Sequence, residues 1–455
     1  MKTSKYRHEK KITYLFLSLL GTLANAQGPA VTSWLQNTTA TGTYYPNGNS
    51  TPQGNSILVN CQTVQYSASN VYISTKGILA YPTGPFQDGN PNQAGNQNAI
   101  FKFPLTPVQN TGTPTATALG NIAVFINGVA GFDPKDGVSW KSSTNAWAGG
   151  PTGGTGDGVW QRDAIVYEKL GFDCSKGHPA GTNYHHHQNP SAFKYDLNVI
   201  STVCNPYDAN GLYTINTSQH SPLIGFAYDG YPIYGAYAYK NADGTGGITR
   251  MKSGYQLRNI TTRNTINGVS VTAGPPVNST YPLGSCIQDY EWIAHTGQDD
   301  YLDEHNGRFC KTPEYPNGTY CYFATVDANH NSAYPYLIGP TYYGIYANRK
   351  VTSVTETTTT YTSNLAVSEA EFKNIGTVLY PNPVSDLLLI QMDHLLKYDL
   401  DIDLYDMSGK LLMKTQMIKG STIAYFDTQT LYNGNYMVKI SNGKNTISKK
   451  VVVKH

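Results

Sequence analysis

The sequence predicts a mainly β protein with long loops and only a minor α+β component. Three observations carry this. Gly 44 and Pro 25 in 455 residues, with frequent Asn and Thr, make turns common. Long clean helical patterns are scarce. Short runs rich in β-branched and aromatic residues sit between turn signals. The length suggests two or three domains. Hydrophobic content of 39% and 12% aromatics suffice for a buried core, which excludes wholesale disorder. Charged residues are only 14% and the net charge is +2. Phosphate affinity rests mainly on Lys and Arg, so a nucleic-acid partner is excluded. Tyr 36 is the other departure from average composition.

The N-terminus reads as a secretory signal over residues 1–26. Lys2, Lys5, Arg7, Lys10 and Lys11 form its basic region, Ile12 to Leu23 its short apolar run. Ala24-Asn25-Ala26 then offers a small-x-small cleavage site before Gln27. The run falls short of the roughly 20 apolar residues a bilayer needs, and no later segment is long enough to span. Residues 27–350 are expected to form the exported cargo domain. Ile57-Leu58-Val59 and Val71-Tyr72-Ile73 read as strands between long loops. Trp160 to Gly171 holds the best helix candidate, although Ala164-Ile165-Val166-Tyr167 could equally be a buried strand. Threonine then dominates VTSVTETTTTYTS, so residues 351–372 read as an exposed linker.

Six cysteines, Cys61, Cys174, Cys204, Cys286, Cys310 and Cys321, are compatible with disulfides in an exported chain. Without a C-x-x-C pair, a zinc ribbon or thioredoxin-like motif is disfavoured. Cys310 and Cys321 flank a turn-rich segment and are the first expected pair. Cys174–Cys204 is the second.

After Glu371 the character changes: lysine becomes common and cysteine disappears. Apolar/polar alternation in Leu387 to Met392, Ile402 to Tyr405 and Tyr436 to Ile440 predicts a small β-sandwich. Four ordered motifs add to this. They are Leu379-Tyr380-Pro381-Asn382-Pro383, Leu404-Tyr405-Asp406-Met407-Ser408-Gly409-Lys410, Asn433-Gly434-Asn435-Tyr436 with its following strand, and Lys449-Lys450-Val451-Val452-Val453. In that order, residues 373–455 resemble the type A C-terminal sorting domain of the Bacteroidetes type IX secretion system. The resemblance implies an Ig-like sandwich read by the type IX machinery. It also implies export, to the medium or to the outer-membrane surface.

Three blocks stand out in the cargo. Gly171-Phe172-Asp173-Cys174-Ser175-Lys176-Gly177-His178 leads into Tyr184-His185-His186-His187. Next comes Asp229-Gly230-Tyr231-Pro232-Ile233-Tyr234-Gly235. The third runs from Leu302-Asp303-Glu304-His305-Asn306-Gly307-Arg308 to Tyr334-Pro335-Tyr336. Over about residues 120–346 these resemble the YHYH-domain family. The family's two histidines map to His185 and His187, and its second tyrosine falls on His186. The resemblance defines the domain and carries no reaction with it.

The residues themselves suggest chemistry. In an extended strand, residues i and i+2 share a face, so His185 and His187 should project together. Two imidazoles on one face can supply ligands to a divalent transition metal, given a third ligand and hydrogen-bond acceptors behind the rings. Asp229 is the leading carboxylate. His178, Tyr184, Asp303, Glu304, Arg308 and Glu314 are candidate neighbours, Arg308 as an ion-pair partner of the acidic residues. The alternative is a histidine–tyrosine hydrogen-bond network without metal. A surface carbohydrate-binding protein is a competing reading, with Trp140, Trp147, Trp160 and Trp292 as stacking rings beside tyrosine. A hydrolase using histidines and carboxylates is a third. Nucleophile-elbow, zincin-helix and P-loop signatures do not occur.

Overall fold

The structure is a computed structural model that describes residues 27–193, 201–362, 376–392, 398–443 and 446–455. The expected signal segment lies outside the described residues. Two compact units divide the chain near Tyr361. Among the described residues no helix is long and apolar enough to cross a membrane.

The first unit is built on two sheets that share a core. Five strands are ordered Lys350–Val351, Ala99–Pro104, Asn70–Thr75, Cys61–Tyr66 and Thr359–Tyr361. In Ala99–Pro104, buried Ala99, Phe101 and Phe103 alternate with half-buried residues, the period-2 signature of a strand with one face inward. Phe103 and Trp34 pack on Phe226 of the second sheet, with ring centroids 6.0 and 5.3 Å apart. That sheet has eight strands, in the order His178–Ala180, Asn183–His186, Ala130–Phe132, Asn121–Phe125, Leu223–Ala227, Pro232–Tyr234, Thr319–Phe323 and Gly307–Cys310. All three motif blocks therefore contribute strands to one sheet.

The threonine-rich stretch is exposed or half-buried over residues 351–362, yet parts of it join a sheet. Lys350–Val351 and Thr359–Tyr361 close the two edges of the five-stranded sheet, pairing with Ala99–Pro104 and Cys61–Tyr66. β-branched threonine suits an extended edge, where main-chain pairing supplies what the side chains do not. The helix candidate shrinks to Ala164–Tyr167 and a 3-10 turn, Lys169–Gly171.

Cysteine pairing also departs from the first expectation. Cys174 and Cys204 are bonded, whereas Cys310 and Cys321 are buried thiols. The strand register sets Cys310 opposite Thr319 and Cys321 opposite Arg308. The two cysteines are thus diagonal neighbours on adjacent strands, with their thiols in hydrogen-bonding contact. The Cys174–Cys204 bond closes a separation of 30 residues. Cys204→Ser is expected to cost the first unit about 3 kcal/mol. A denaturation midpoint that does not fall would refute that bracing role.

In the second unit, a three-stranded sheet (Thr377–Tyr380, Leu387–Met392, Ile423–Asp427) and a four-stranded sheet (Leu411–Met417, Leu400–Asp406, Gly434–Ser441, Thr446–Val453) share one core. Leu388, Ile390, Ile402, Leu404, Val438 and Ile440 fill it. The alternation seen in the sequence is the inward face of this sandwich.

Candidate metal centre

A hairpin at one edge of the eight-stranded sheet builds the site. His178–Ala180 and Asn183–His186 are joined by the two-residue turn Gly181-Thr182, in which Gly181 takes φ +59°. Glycine at that place is what such a turn needs. The register sets His178 directly opposite His185. His187 lies two residues beyond His185 on the same side, as the alternation predicts. The His185 and His187 Nε2 atoms stand 3.0 Å apart. One ligand atom from each of His178, His185 and His187 lies within 4.8 Å of the others, and all three residues are buried.

A fourth group joins them. Asp163 accepts a hydrogen bond from the Ile165 N–H at 2.8 Å and so caps the short helix Ala164–Tyr167. Glu168 follows that helix. Its Oε2 lies 3.2 Å from His187 Nε2 and 3.4 Å from His178 Nε2. Burial alone would raise Glu168, but His178 and His187 together hold it down at about 2. Among the described residues, His178 Nε2 and Glu168 Oε2 are buried without an aligned hydrogen-bond partner.

The outer nitrogens fix the tautomers. His185 Nδ1 faces the Asn183 carbonyl at 3.0 Å, and His187 Nδ1 faces the Asp133 carbonyl at 2.6 Å. A carbonyl only accepts, so both Nδ1 atoms carry the proton and donate. In the neutral rings, both Nε2 lone pairs then point at each other, beside a carboxylate. Such a hole is complementary to a cation. Burial first, then His187 and His178, push His185 well below the usual histidine value. Burial would also lower His187, but Glu168 and Asp133 raise it. Phe132 stacks on His185 at 3.7 Å, and Phe172 meets His178 edge-on at 4.8 Å. These apolar walls hold the imidazoles in place.

The other candidates lie elsewhere. Asp229 accepts from the Tyr231 and Gly344 N–H groups and from the Tyr322 hydroxyl, in a tight turn. Gly230 makes that turn at φ +97°, where a Cβ would also strike Pro104. Asp303 accepts from the Tyr320 hydroxyl and the His305 and Gly307 N–H groups. Glu314 accepts from Tyr234 at 2.9 Å, and Glu304 is exposed. Arg308 donates to the carbonyls of Lys240, Asp299 and Tyr239 and makes no ion pair among the described residues, unlike the acidic pairing expected. Tyr184 faces away from His185 and donates to Asp173 at 2.9 Å. His186 shares that face, with Nδ1 3.1 Å from the Lys176 carbonyl. Trp140 and Trp160 are core residues.

The β architecture, the sandwich tail and the buried histidine edge define a β module followed by a small β-sandwich unit. Comparison with family models agrees: residues 378–454 match the secretion system C-terminal sorting domain. Residues 100–335, just over half of the chain, match the YHYH protein model. The chain belongs to the YHYH family. Its type IX sorting domain directs it out of the cell, to the surface or the medium. No curated protein matches the chain.

Proposed function

We propose that the first unit is a metal-binding module, with His178, His185, His187 and Glu168 as ligands to a divalent transition ion. The observation that carries this is the pair of inward Nε2 atoms 3.0 Å apart, each with its Nδ1 bound to a carbonyl. A four-coordinate ion about 2.0–2.1 Å from each nitrogen spaces its ligands by roughly 3.3 Å. The His185–His187 pair is already close to that spacing. Three imidazoles and one carboxylate suit Zn, Cu, Ni, Fe or Mn. Glu168 replaces Asp229 as the carboxylate in this reading. The hydrolase alternative is weaker, because Asp303 and Glu314 are occupied as tyrosine acceptors away from the histidines.

Elemental analysis of the purified exported chain tests the proposal. About one equivalent of metal is expected. Added metal should raise the melting temperature of the chelated protein. His185→Ala with His187→Ala should abolish both effects. A chain that neither retains metal nor is stabilised by any of these ions would overturn it. In that case a proton shared between His185 and His187 fills the hole.

A further inference from the structure

A second site lies among the tyrosines, independent of the metal reading. A cavity of about 430 Å³ opens beside the strands Tyr255–Leu257 and Tyr290–Trp292. That volume is in the range of small-ligand pockets. One wall is aromatic. Tyr290 and Tyr334 stack at 4.2 Å with their planes 7° apart, and Tyr255 abuts Tyr334 edge-on at 5.3 Å. Tyr334 is buried within this stack, so half-buried Tyr255 and Tyr290 supply the accessible ring surface, braced so that little further rotamer freedom is lost on binding.

Tyr336, in the same lining, sits at φ +72°. Bulky residues rarely adopt this left-handed conformation, and strain of this kind gathers at ligand-binding walls. The Tyr336 hydroxyl donates to Asp163 at 2.6 Å, which holds the ring there.

Charge supplies the third observation. Lys252 in the lining is neutralised by Asp300 at 2.6 Å. Arg250 is not. It donates from one terminal nitrogen to the Val326 carbonyl at 2.7 Å and has no ion-pair partner among the described residues. Asp327 also lines the cavity; its carboxylate is held in its own turn by the Asn329 and Asn331 N–H groups and the Asn331 side-chain amide, which leave its charge in place. The cavity thus combines an aromatic wall with one guanidinium lacking a carboxylate.

We propose that this cavity binds a carboxylate-bearing sugar. The C–H face of the ring would lie on the electron-rich tyrosine face, and the carboxylate would meet Arg250, whose planar fork matches it. The motif tyrosines then serve as a recognition surface as well as packing material.

Calorimetric titration of the full exported chain tests this. The probes are trimers of galacturonic, glucuronic and mannuronic acid, with neutral galactose and glucose trimers as comparison. At least one uronate trimer is expected to bind, and the neutral trimers at least tenfold more weakly. Arg250→Gln should weaken uronate binding at least tenfold while lowering the melting temperature by no more than a few degrees, since it forfeits only the bond to the Val326 carbonyl. Tyr290→Ala should abolish binding; if that variant does not fold, Arg250→Gln decides. No binding of any uronate trimer would overturn the proposal. So would neutral trimers binding equally well, or Arg250→Gln binding like the parent.

Discussion

Arg263→Ala is expected to destabilise the first unit by about 3–5 kcal/mol, the cost of leaving one member of a buried ion pair unpaired. Arg263 is 2% exposed and Asp289 fully buried. The guanidinium grips the carboxylate through two parallel bonds, Nε to Oδ1 at 2.7 Å and a terminal nitrogen to Oδ2 at 2.8 Å. Its remaining donors reach the carbonyls of Pro275, Tyr281 and Pro282 and the Ser285 hydroxyl. Asp289 in turn accepts from the Gly284 and Cys286 N–H groups. One side chain therefore gathers the loop that leads to Tyr290. Lysine keeps the charge but lacks the planar fork, so Arg263→Lys should recover only part of the loss. Chemical denaturation reads both variants. A cost below about 1 kcal/mol for Arg263→Ala would show that the cage is dispensable.

The groove and the histidine cluster share a frame. Asp163 takes the Tyr336 hydroxyl with one oxygen and caps the Ala164–Tyr167 helix with the other. That helix ends next to Glu168. The same device recurs through the unit: Tyr184 on Asp173, Tyr320 on Asp303 and Tyr322 on Asp229. Buried tyrosine needs an acceptor for its hydroxyl, and a buried carboxylate needs donors. The abundance of tyrosine and the scarcity of charge thus have one explanation. Among the described residues, several interior acids are acceptors for phenols and backbone amides, while Asp289 also takes a guanidinium.

That His185 and His187 share a face was legible because strand alternation is local: two residues apart means one side. His178 comes opposite His185 through a two-residue Gly-Thr turn, which only the strand register reveals. Glu168 was not legible. It belongs to a turn after a four-residue helix, and its place depends on how that turn packs against the hairpin. For Asp229 the sequence is ambiguous, because a carboxylate before glycine looks the same whether it binds a metal or closes a turn; in the structure it accepts from Tyr231, Gly344 and Tyr322. The sheet order was equally hidden. Residues 130–132 run parallel beside 185–186, and 232–234 beside 322–323. Such pairings follow from global packing and not from any local pattern. The tail was the most legible part, because one buried face on each of its strands imposes plain alternation.

Asp173→Ala is expected to cost about 4 kcal/mol or more, because it orphans several buried donors at once. The carboxylate accepts from the N–H groups of Gly84 at 2.9 Å, Ser175 at 2.9 Å and Gly177 at 3.2 Å, and from the Tyr184 hydroxyl. It thereby pins the residue that precedes His185, so the variant should also loosen metal binding. Asp173→Asn separates charge from shape. Burial, opposed by these donors, raises Asp173 from its ordinary 3.8 to about 7. The unfolded chain releases this proton near pH 4, the folded chain near 7. Between those values the folded state holds a proton that the unfolded state lacks. Stability therefore falls as pH rises through the window and levels off above it. Asp163 is raised in the same direction and adds to the fall in both proteins. The parent should lose stability more steeply than Asp173→Asn, by up to about 1.4 kcal/mol per pH unit, the slope one proton supplies. Urea denaturation of the chelated proteins at intervals from pH 4.5 to 7.5 measures the difference. Parallel curves would mean that Asp173 is already ionised at the acid end, with its four donors outweighing burial.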